Sequence, residues 1–596
     1  MDARIDPITL EVIQNALGSI ADELALIIMR SAYSNIVRDS MDYSTAVCDH
    51  RGQTVAQGLT TPVHLGSFPD AMRSLIGRYG DAMNPGDVFI FNDPYGAGGM
   101  HLPDFYVIRP VFVAHRVEAY VAMLAHQCDV GGIAPGGMAV YATEIFQEGL
   151  RIPILKLYEA GKPNDAIFRM IERNTRLPVH VLDDIRAQLA ACHNGEKALL
   201  RLIERYGAEN FRRYTAELHD YAERLLRAEI AALPDGTYVF EDFLDGLGEA
   251  PEPIRFRAAL TIAGDEIAID WTGTSLQVTA AINGPAPTTN AMCYLAVRCA
   301  IGATIPNCEG YMRAIKVRAP KGSIVNPHEP GACGARGIIC FRMFDTLLGC
   351  FAQVLPGRIP AANEGGSSAP HIAGRDRDNK PFIVSGGLMG CWGGSATRDG
   401  QEGISNPGAN LGNTPIELLE ARHPVEITRY AFVQNSGGPG RSRGGAALMR
   451  GYRLLADEAV LIMRSDRRAV PPYGLSEGYP GTPSWNLINA GTPEQEILPV
   501  CPMQSTPMKK VDEFLHIQAG AGGFGDPLLR APEAVLQDTL NELITVAYAA
   551  DVYGVVITGE AIDLERTAIA REALTRAGGS NGAYLAHFRH ANGLQD

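Results

Sequence analysis

The apolar run Val117-Glu-Ala-Tyr-Val-Ala-Met-Leu-Ala125 constrains this chain most, because it stops at His126-Gln-Cys-Asp129 and passes into the glycine-rich loop 130–137. A run of this kind, bounded by turn residues, reads as a buried strand. A second junction mirrors it: Gly96-Ala-Gly-Gly-Met-His101-Leu-Pro-Asp104 leads into the β-branched and aromatic stretch 105–108. Imidazole and carboxylate groups therefore stand where strands meet irregular backbone. Asp42, just ahead of the strand candidate at 44–48, occupies the same kind of position. Asp42, His101, Asp104 and His126 are thus candidate metal ligands, in a set that suits zinc, manganese or ferrous iron and leaves room for water or substrate. The plain alternative is a hydrogen-bonded histidine at a strand end.

A chain of 596 residues exceeds what one core supports, and about two to four domains are expected. The formal net charge of -15, from 52 Lys+Arg against 67 Asp+Glu, argues against nucleic acid or an anionic membrane as the main partner. The 11 cysteines are scattered without a CxxC pair, which points to packed thiols and not to a disulfide framework or a thiolate zinc site. The opening Met1-Asp-Ala-Arg-Ile-Asp-Pro has no apolar core like that of a signal sequence, and no uninterrupted apolar run is long enough to cross a bilayer. A cytoplasmic protein is expected.

Asp6 can cap a first helix with Pro7 at its first position, and Ile13, Leu17, Ile20, Leu24 and Ile28 then recur on one face. Strand candidates follow at 44–48 and 88–92, with a helix at 69–79 between them. Residues 164–233 turn largely helical, and strands return at 237–243, 254–262 and 266–271. Helices are expected at 289–300 and 337–355, then a glycine-dense region at 364–412, and two more helices after Pro532. The whole reads as a multidomain α+β chain of mixed sheets: a metal-site domain at 1–160, a helical arm at 161–232, a second α+β domain with glycine-rich loops at 233–530 and a helical tail at 531–596. Clusters such as 386–394, 435–445 and 520–527 account for many of the 64 glycines. They permit unusual backbone angles and close approach to a ligand. None is a GxxxxGK[ST] loop, and no GxGxxG joins a strand to a helix, so those phosphate-binding devices are missing. Arg441 and Arg443 tilt the 435–445 loop toward an anion or partner contact.

Several segments together resemble the hydantoinase B/oxoprolinase family: Asp6-Pro-Ile-Thr-Leu-Glu-Val, Ser34-Asn-Ile with Asp42-Tyr-Ser, Asn92-Asp-Pro-Tyr leading to His101-Leu-Pro-Asp104, Ala125-His126, and Glu148-Gly-Leu-Arg-Ile-Pro153. The likeness continues through Asn413-Thr-Pro-Ile-Glu417, the 436–445 loop and 522–527, covering nearly the whole chain. The resemblance implies that His101, Asp104 and His126 bind one divalent ion, zinc first and manganese second, joined by Asp42 as in the lactamase branch. It also implies a hydantoinase A-type partner that binds ATP and phosphorylates the carbonyl oxygen of a cyclic amide, in a hetero-oligomer expected to be a dimer of heterodimers. The missing phosphate loop agrees with that division. Met100 departs from the family, which often places a small hydroxyl residue there. Asp129 or Glu148 is expected as a general base, or as a partner that orients His126 and His101. His64 is expected to line the site or to be a satisfied core histidine. Two alternatives are an α subunit of an acetone or acetophenone-type carboxylase, and a non-catalytic scaffold for an ATPase.

Overall fold

Helix α1 (Pro7–Ser31) starts as its residue types dictate: Pro7 supplies a preset first turn, and the Asp6 carboxylate accepts the Thr9 backbone amide at 3.0 Å. Leu10, Ile13, Leu17, Ile20, Leu24 and Ile28 are buried along one face. The computed structural model describes residues 5–59, 61–302, 304–579 and 582–594, so Met1 to Arg4, read above for a leader, lie outside the described residues.

After α2 (Asn35–Arg38), strands β1 (Tyr43–Asp49) and β2 (Thr54–Gln57) lead through α3 (Pro62–Leu65) and α4 (Phe68–Tyr79) to β3 (Val88–Phe91), β4 (Asp104–Val113) and β5 (Arg116–His126). With β6 (Leu155–Glu159) and β7 (Lys162–Pro163) they form an antiparallel sheet ordered β2-β1-β5-β4-β3-β6-β7. Successive side chains of β5 point to opposite faces. Val121 and Met123 join the core that includes α1, while Tyr120, Ala122 and Leu124 pack with Phe68, Met72 and Leu75 of α4. Burial on both faces explains why the run carries no polar alternation.

The helical stretch forms α5 (Asp165–Asn174), α6 (Pro178–Tyr206) and α7 (Ala208–Ala231). Helix α6 lies on α1, β4 and β5. Gly195 permits this approach, because a Cβ there would sit 2.8 Å from Leu24 and 3.0 Å from Val121. Next come β8 (Gly236–Leu244), β9 (Ile254–Ala263), β10 (Glu266–Asp270), α8 (Ala286–Ile301), β11 (Ile315–Arg318) and α9 (Gly337–Val354). The sheet β11-β10-β9-β8 carries α9 against β8 and β9, and its β10–β11 pair is parallel. By length and composition α1 and α9 could each cross a membrane. Glu11, Asp22 and Glu23 interrupt α1, and α9 is enclosed in the core, its residues from Ile338 to Phe351 all buried.

The glycine-dense region is more regular than its composition suggests. Strands β12 (His371–Arg375) and β13 (Pro381–Val384) precede α10 (Ile416–Arg422), β14 (Val425–Phe432), β15 (Leu448–Leu454), β16 (Glu458–Ile462), β17 (Trp485–Ile488), β18 (Glu496–Leu498), β19 (Thr506–Lys509) and β20 (Glu513–Ile517). They form two sheets, β13-β12-β16-β19 and β14-β15-β20-β17-β18, which share one apolar cluster including Ile372, Leu461, Leu454 and Phe514. Buried ion pairs tie this part to the preceding layer. Arg342 on α9 pairs with Asp242 at 2.7 Å and with Asp466, while Arg467 reaches Asp345 at 2.7 Å and Asp242 at 3.1 Å.

Among the described residues the tail holds four helices where two are expected: α11 (Pro532–Leu540), α12 (Val546–Tyr553), α13 (Leu564–Ala577) and α14 (Ala583–Ala591), with a short β-pair after α12. Arg443 faces inward and corrects the reading of its loop as an anion contact. It pairs with Glu402 and, at 3.0 Å, with Asp538 of α11, so its charge is used to fasten the tail. Arg441 donates to the Ala396 carbonyl at 2.9 Å.

Candidate metal centre

Strand pairing brings the candidate ligands together. Asp104, the first residue of β4, sits directly opposite His126, the last of β5, and the His126 backbone amide donates to the Asp42 carbonyl at 3.0 Å beside the start of β1. Directly opposed residues in an antiparallel pair hold their Cβ atoms about 5 Å apart. His101 joins through a tight turn in which the Asp104 amide donates to its carbonyl at 3.1 Å. The glycines ahead of it let the loop fold back: Gly98 has φ of +73°, and a Cβ there would lie 2.6 Å from the Asp70 backbone.

His101 Nε2 lies 3.0 Å and His126 Nδ1 3.3 Å from Asp104 Oδ1. Asp42 Oδ2 is 3.8 Å from His126 Nδ1, and His64 Nε2 is 3.6 Å from Asp42 Oδ1 and 3.9 Å from Asp104 Oδ2. One ligand atom from each of His101, Asp104 and His126 falls within 4.8 Å of the others, and all three residues are buried. Burial opposes ionisation of Asp104, but its interactions with the His101, Arg336 and His64 side chains outweigh it and hold the carboxyl well below the usual range. Burial, followed by the nearby Arg336 charge, pushes His101 down to about 3, so this imidazole is neutral at pH 7.

Tautomers follow from the hydrogen bonds. His101 Nδ1 lies 2.7 Å from the Gly334 carbonyl, which only accepts, so the proton is on Nδ1 and the Nε2 lone pair faces Asp104. Ser44 Oγ donates to the Thr61 carbonyl at 2.8 Å and accepts from His64 Nδ1 at 3.2 Å, which leaves the His64 Nε2 lone pair facing the two carboxylates. Among the described residues Asp104 Oδ1 has no hydrogen-bond donor despite full burial. Lone pairs converging on an orphaned carboxylate oxygen repel each other unless a cation lies among them. These residues therefore fit a divalent ion, with a carbonyl orienting His101 and Arg336 holding Asp104 Oδ2 at 2.5 Å.

The other two carboxylates lie elsewhere. Asp129 is taken up by the Gly136 amide at 3.0 Å, the Arg176 amide at 2.5 Å and the Arg176 guanidinium at 3.1 Å, clamping the 130–137 loop. Glu148 accepts the Cys333 and Gly334 amides at 2.6 Å each and sits behind the Gly334 carbonyl that orients His101. Burial pushes its carboxyl up to about 8. His64 is the one of the three that faces the ligand cluster.

A cavity opens at the cluster. Its walls include Ile36, Val63, Met138, Phe341 and Met389, together with Arg336, His371 and Arg464, which sequence reasoning missed. Arg336 stands in the stretch Gly331-Ala-Cys-Gly-Ala-Arg-Gly337 just before a helix expected from sequence, a loop-to-helix signal that could have marked it. His371 and Arg464 carry no comparable signal.

The hydantoinase B/oxoprolinase profile matches residues 6–527. A protein from Pseudomonas sp. (strain NS671) that is named as the B component of a D-/L-hydantoinase is 33% identical over 95% of this chain and 98% of its own length. The crystal structure of the ATP-dependent caprolactamase from Pseudomonas jessenii has a TM-score of 0.89 at 29% identity, covering 96% of this chain and 100% of that one. The nucleotide-free acetone carboxylase structure has a TM-score of 0.90 at 20% identity over 96% of this chain and 83% of that one, a likeness of fold. This chain belongs to the hydantoinase B/oxoprolinase family.

Proposed function

We propose that the chain is the metal-dependent B-type component of a cytoplasmic, ATP-dependent cyclic amide hydrolase, opening hydantoin-like, 5-oxoproline or lactam rings. The observation that carries this reading is the convergence of His101 Nε2 and His126 Nδ1 on the donorless Asp104 Oδ1, beside a cavity with both charged and apolar walls. ATP is held by an A-type partner, which phosphorylates the substrate's carbonyl oxygen. The absence of a phosphate-binding loop in this sequence, and the naming of its hydantoinase relative as one component of a larger enzyme, support that division.

Amide resonance makes an unstrained cyclic amide a poor electrophile, and phosphorylation of its oxygen gives an imidate ester. The oxygen of one water adds to the imidate carbon, and a proton passes to the ring nitrogen. The C–N bond then breaks and leaves an acyl phosphate, which a second water cleaves to carboxylate and inorganic phosphate. Asp42, His101, Asp104 and His126 would hold the divalent ion, zinc first and manganese second, which supplies Lewis acidity to lower the pKa of water and to offset negative charge on oxygen. His64 accepts the proton at Nε2 and returns it to the ring nitrogen. Burial lowers its pKa and keeps it neutral, and Ser44 fixes the ring. Glu148 acts through Gly334 as a positioning residue. Asp129 serves the loop.

The carboxylase alternative rests on a likeness of fold at 20% identity. A scaffold has no use for a buried cluster of lone pairs beside a cavity. The test is to co-purify the chain with its A-type partner and to follow ring-opened product from hydantoins, lactams and ketones, with and without bicarbonate. ATP-dependent ring opening is expected. Carboxylated ketone without ring opening would overturn the reading.

A further inference from the structure

Arg464 follows β16 and lines the same cavity as the ligand cluster. Its guanidinium donates to the Ser367 carbonyl at 3.1 Å, to Ser367 Oγ at 3.4 Å and toward Met138 Sδ at 3.8 Å, and none of these partners is a carboxylate. Its Nη1 thus meets only a sulfur, a weak acceptor. His371, the first residue of β12, lines the cavity too, is 3% exposed, and among the described residues has no hydrogen-bond partner on either ring nitrogen. A half-buried cation with no ion-pair partner in contact and a buried imidazole with no hydrogen bond are both costly unless a ligand completes them.

The charge count gives the ligand's sign. Asp42, Arg336 and Arg464 line the cavity, and the fully buried Asp104 pairs with Arg336, so the four side chains sum to zero. A divalent cation among the ligands brings the sum to +2, the complement of a dianion. In the reaction proposed above the phosphoryl group stays on the substrate while the C–N bond breaks, so the cavity has to accommodate an oxyanion until the last step.

We propose that Arg464 and His371 form an oxyanion subsite that holds the phosphoryl group of the activated substrate beside the ligand cluster. The Arg464 Nη1 donates to one phosphoryl oxygen, and the neutral His371 donates its single N–H to another. Ser367 holds the guanidinium from behind. Ile36, Met389 and Phe341 supply apolar lining for the ring.

This inference rests on the function proposed above, and inorganic phosphate separates the two. Full-length chain, its metal content measured, is titrated with phosphate by calorimetry, beside Arg464→Met, Arg464→Lys and His371→Leu, with unfolding midpoints confirming that each variant is folded. Phosphate should bind the native chain. Arg464→Met should weaken it about ten- to a hundredfold, as expected for loss of a charged hydrogen bond. Arg464→Lys should recover part of the loss, and metal content should be unchanged in all three. Phosphate affinity equal in Arg464→Met and native chain would overturn the subsite, as would acetate binding as tightly as phosphate. If phosphate binds through Arg464 but the complex opens no ring, the subsite stands and the function falls. If rings open while phosphate ignores Arg464, the reverse holds.

Discussion

Glu148 offers a sharp test of how the site is built, because its environment sets two opposite expectations for two substitutions. Its Oε1 accepts both the Cys333 and Gly334 amides, and burial raises the carboxyl from 4.5 to about 8. At pH 6 the side chain is therefore a neutral acid whose carbonyl oxygen takes both bonds, and Gln reproduces that form. Ala instead orphans two buried N–H groups at about 1–3 kcal/mol each, so Glu148→Ala should cost roughly 2–6 kcal/mol. The pH dependence has a definite sign. A carboxyl whose folded pKa is raised contributes stability that is fully present below the unfolded value and is lost as pH rises through the folded one. At about 1.4 kcal/mol per unit, the 3.5 units between 4.5 and 8 amount to an upper limit on the order of 5 kcal/mol lost across that window. Denaturant unfolding at pH 5, 6, 7 and 8 should show the native chain losing stability relative to Glu148→Gln, the two being close at pH 5. A Gln variant several kcal/mol weaker at pH 5, or one that tracks the native chain at every pH, would refute the reasoning.

Other substitutions separate the ligands from their neighbours. His101→Ala and His126→Ala should each lose most of about one equivalent of divalent ion by elemental analysis, and full retention in both would sink the metal assignment. Asp129→Asn, which weakens the Arg176 clamp, should keep the ion and lower the unfolding midpoint; loss of the ion would bring Asp129 back into the site. The isolated chain should bind ATP weakly and open no ring until the A-type partner is added, which micromolar ATP binding in calorimetry would contradict.

Much of the first layer is legible in the sequence because it depends on local rules. The Asp6-Pro7 start of α1, the unbroken 117–125 run and the loop-to-strand step at His101 to Asp104 each announce their element. The bond that makes Asp129 structural comes from Arg176, 47 residues away. Residue type at a strand end cannot separate it from Asp104, which keeps one oxygen free. Likewise His371 and Arg464 reach the site only because β12 pairs with β16, a long-range contact inside short strands with no periodic signature. The tail is expected to hold two helices and has four among the described residues, and its helices are short or weakly amphipathic.

The proposed division of labour between a metal centre in this chain and phosphorylation by a partner is tested most directly by Asp104→Asn in the assembled complex. The change removes a charge from a buried pair with Arg336 and should cost about 3–5 kcal/mol, so assembly is confirmed first by sizing. Phosphate release and ring-opened product are then measured in the same reaction. The account predicts that ring opening falls by several orders of magnitude while ATP-derived phosphate is still released, as the activated substrate forms and decays unproductively in water. A parallel fall of both rates in an intact complex would contradict it, because the Asp104 site would then take part in phosphorylation itself.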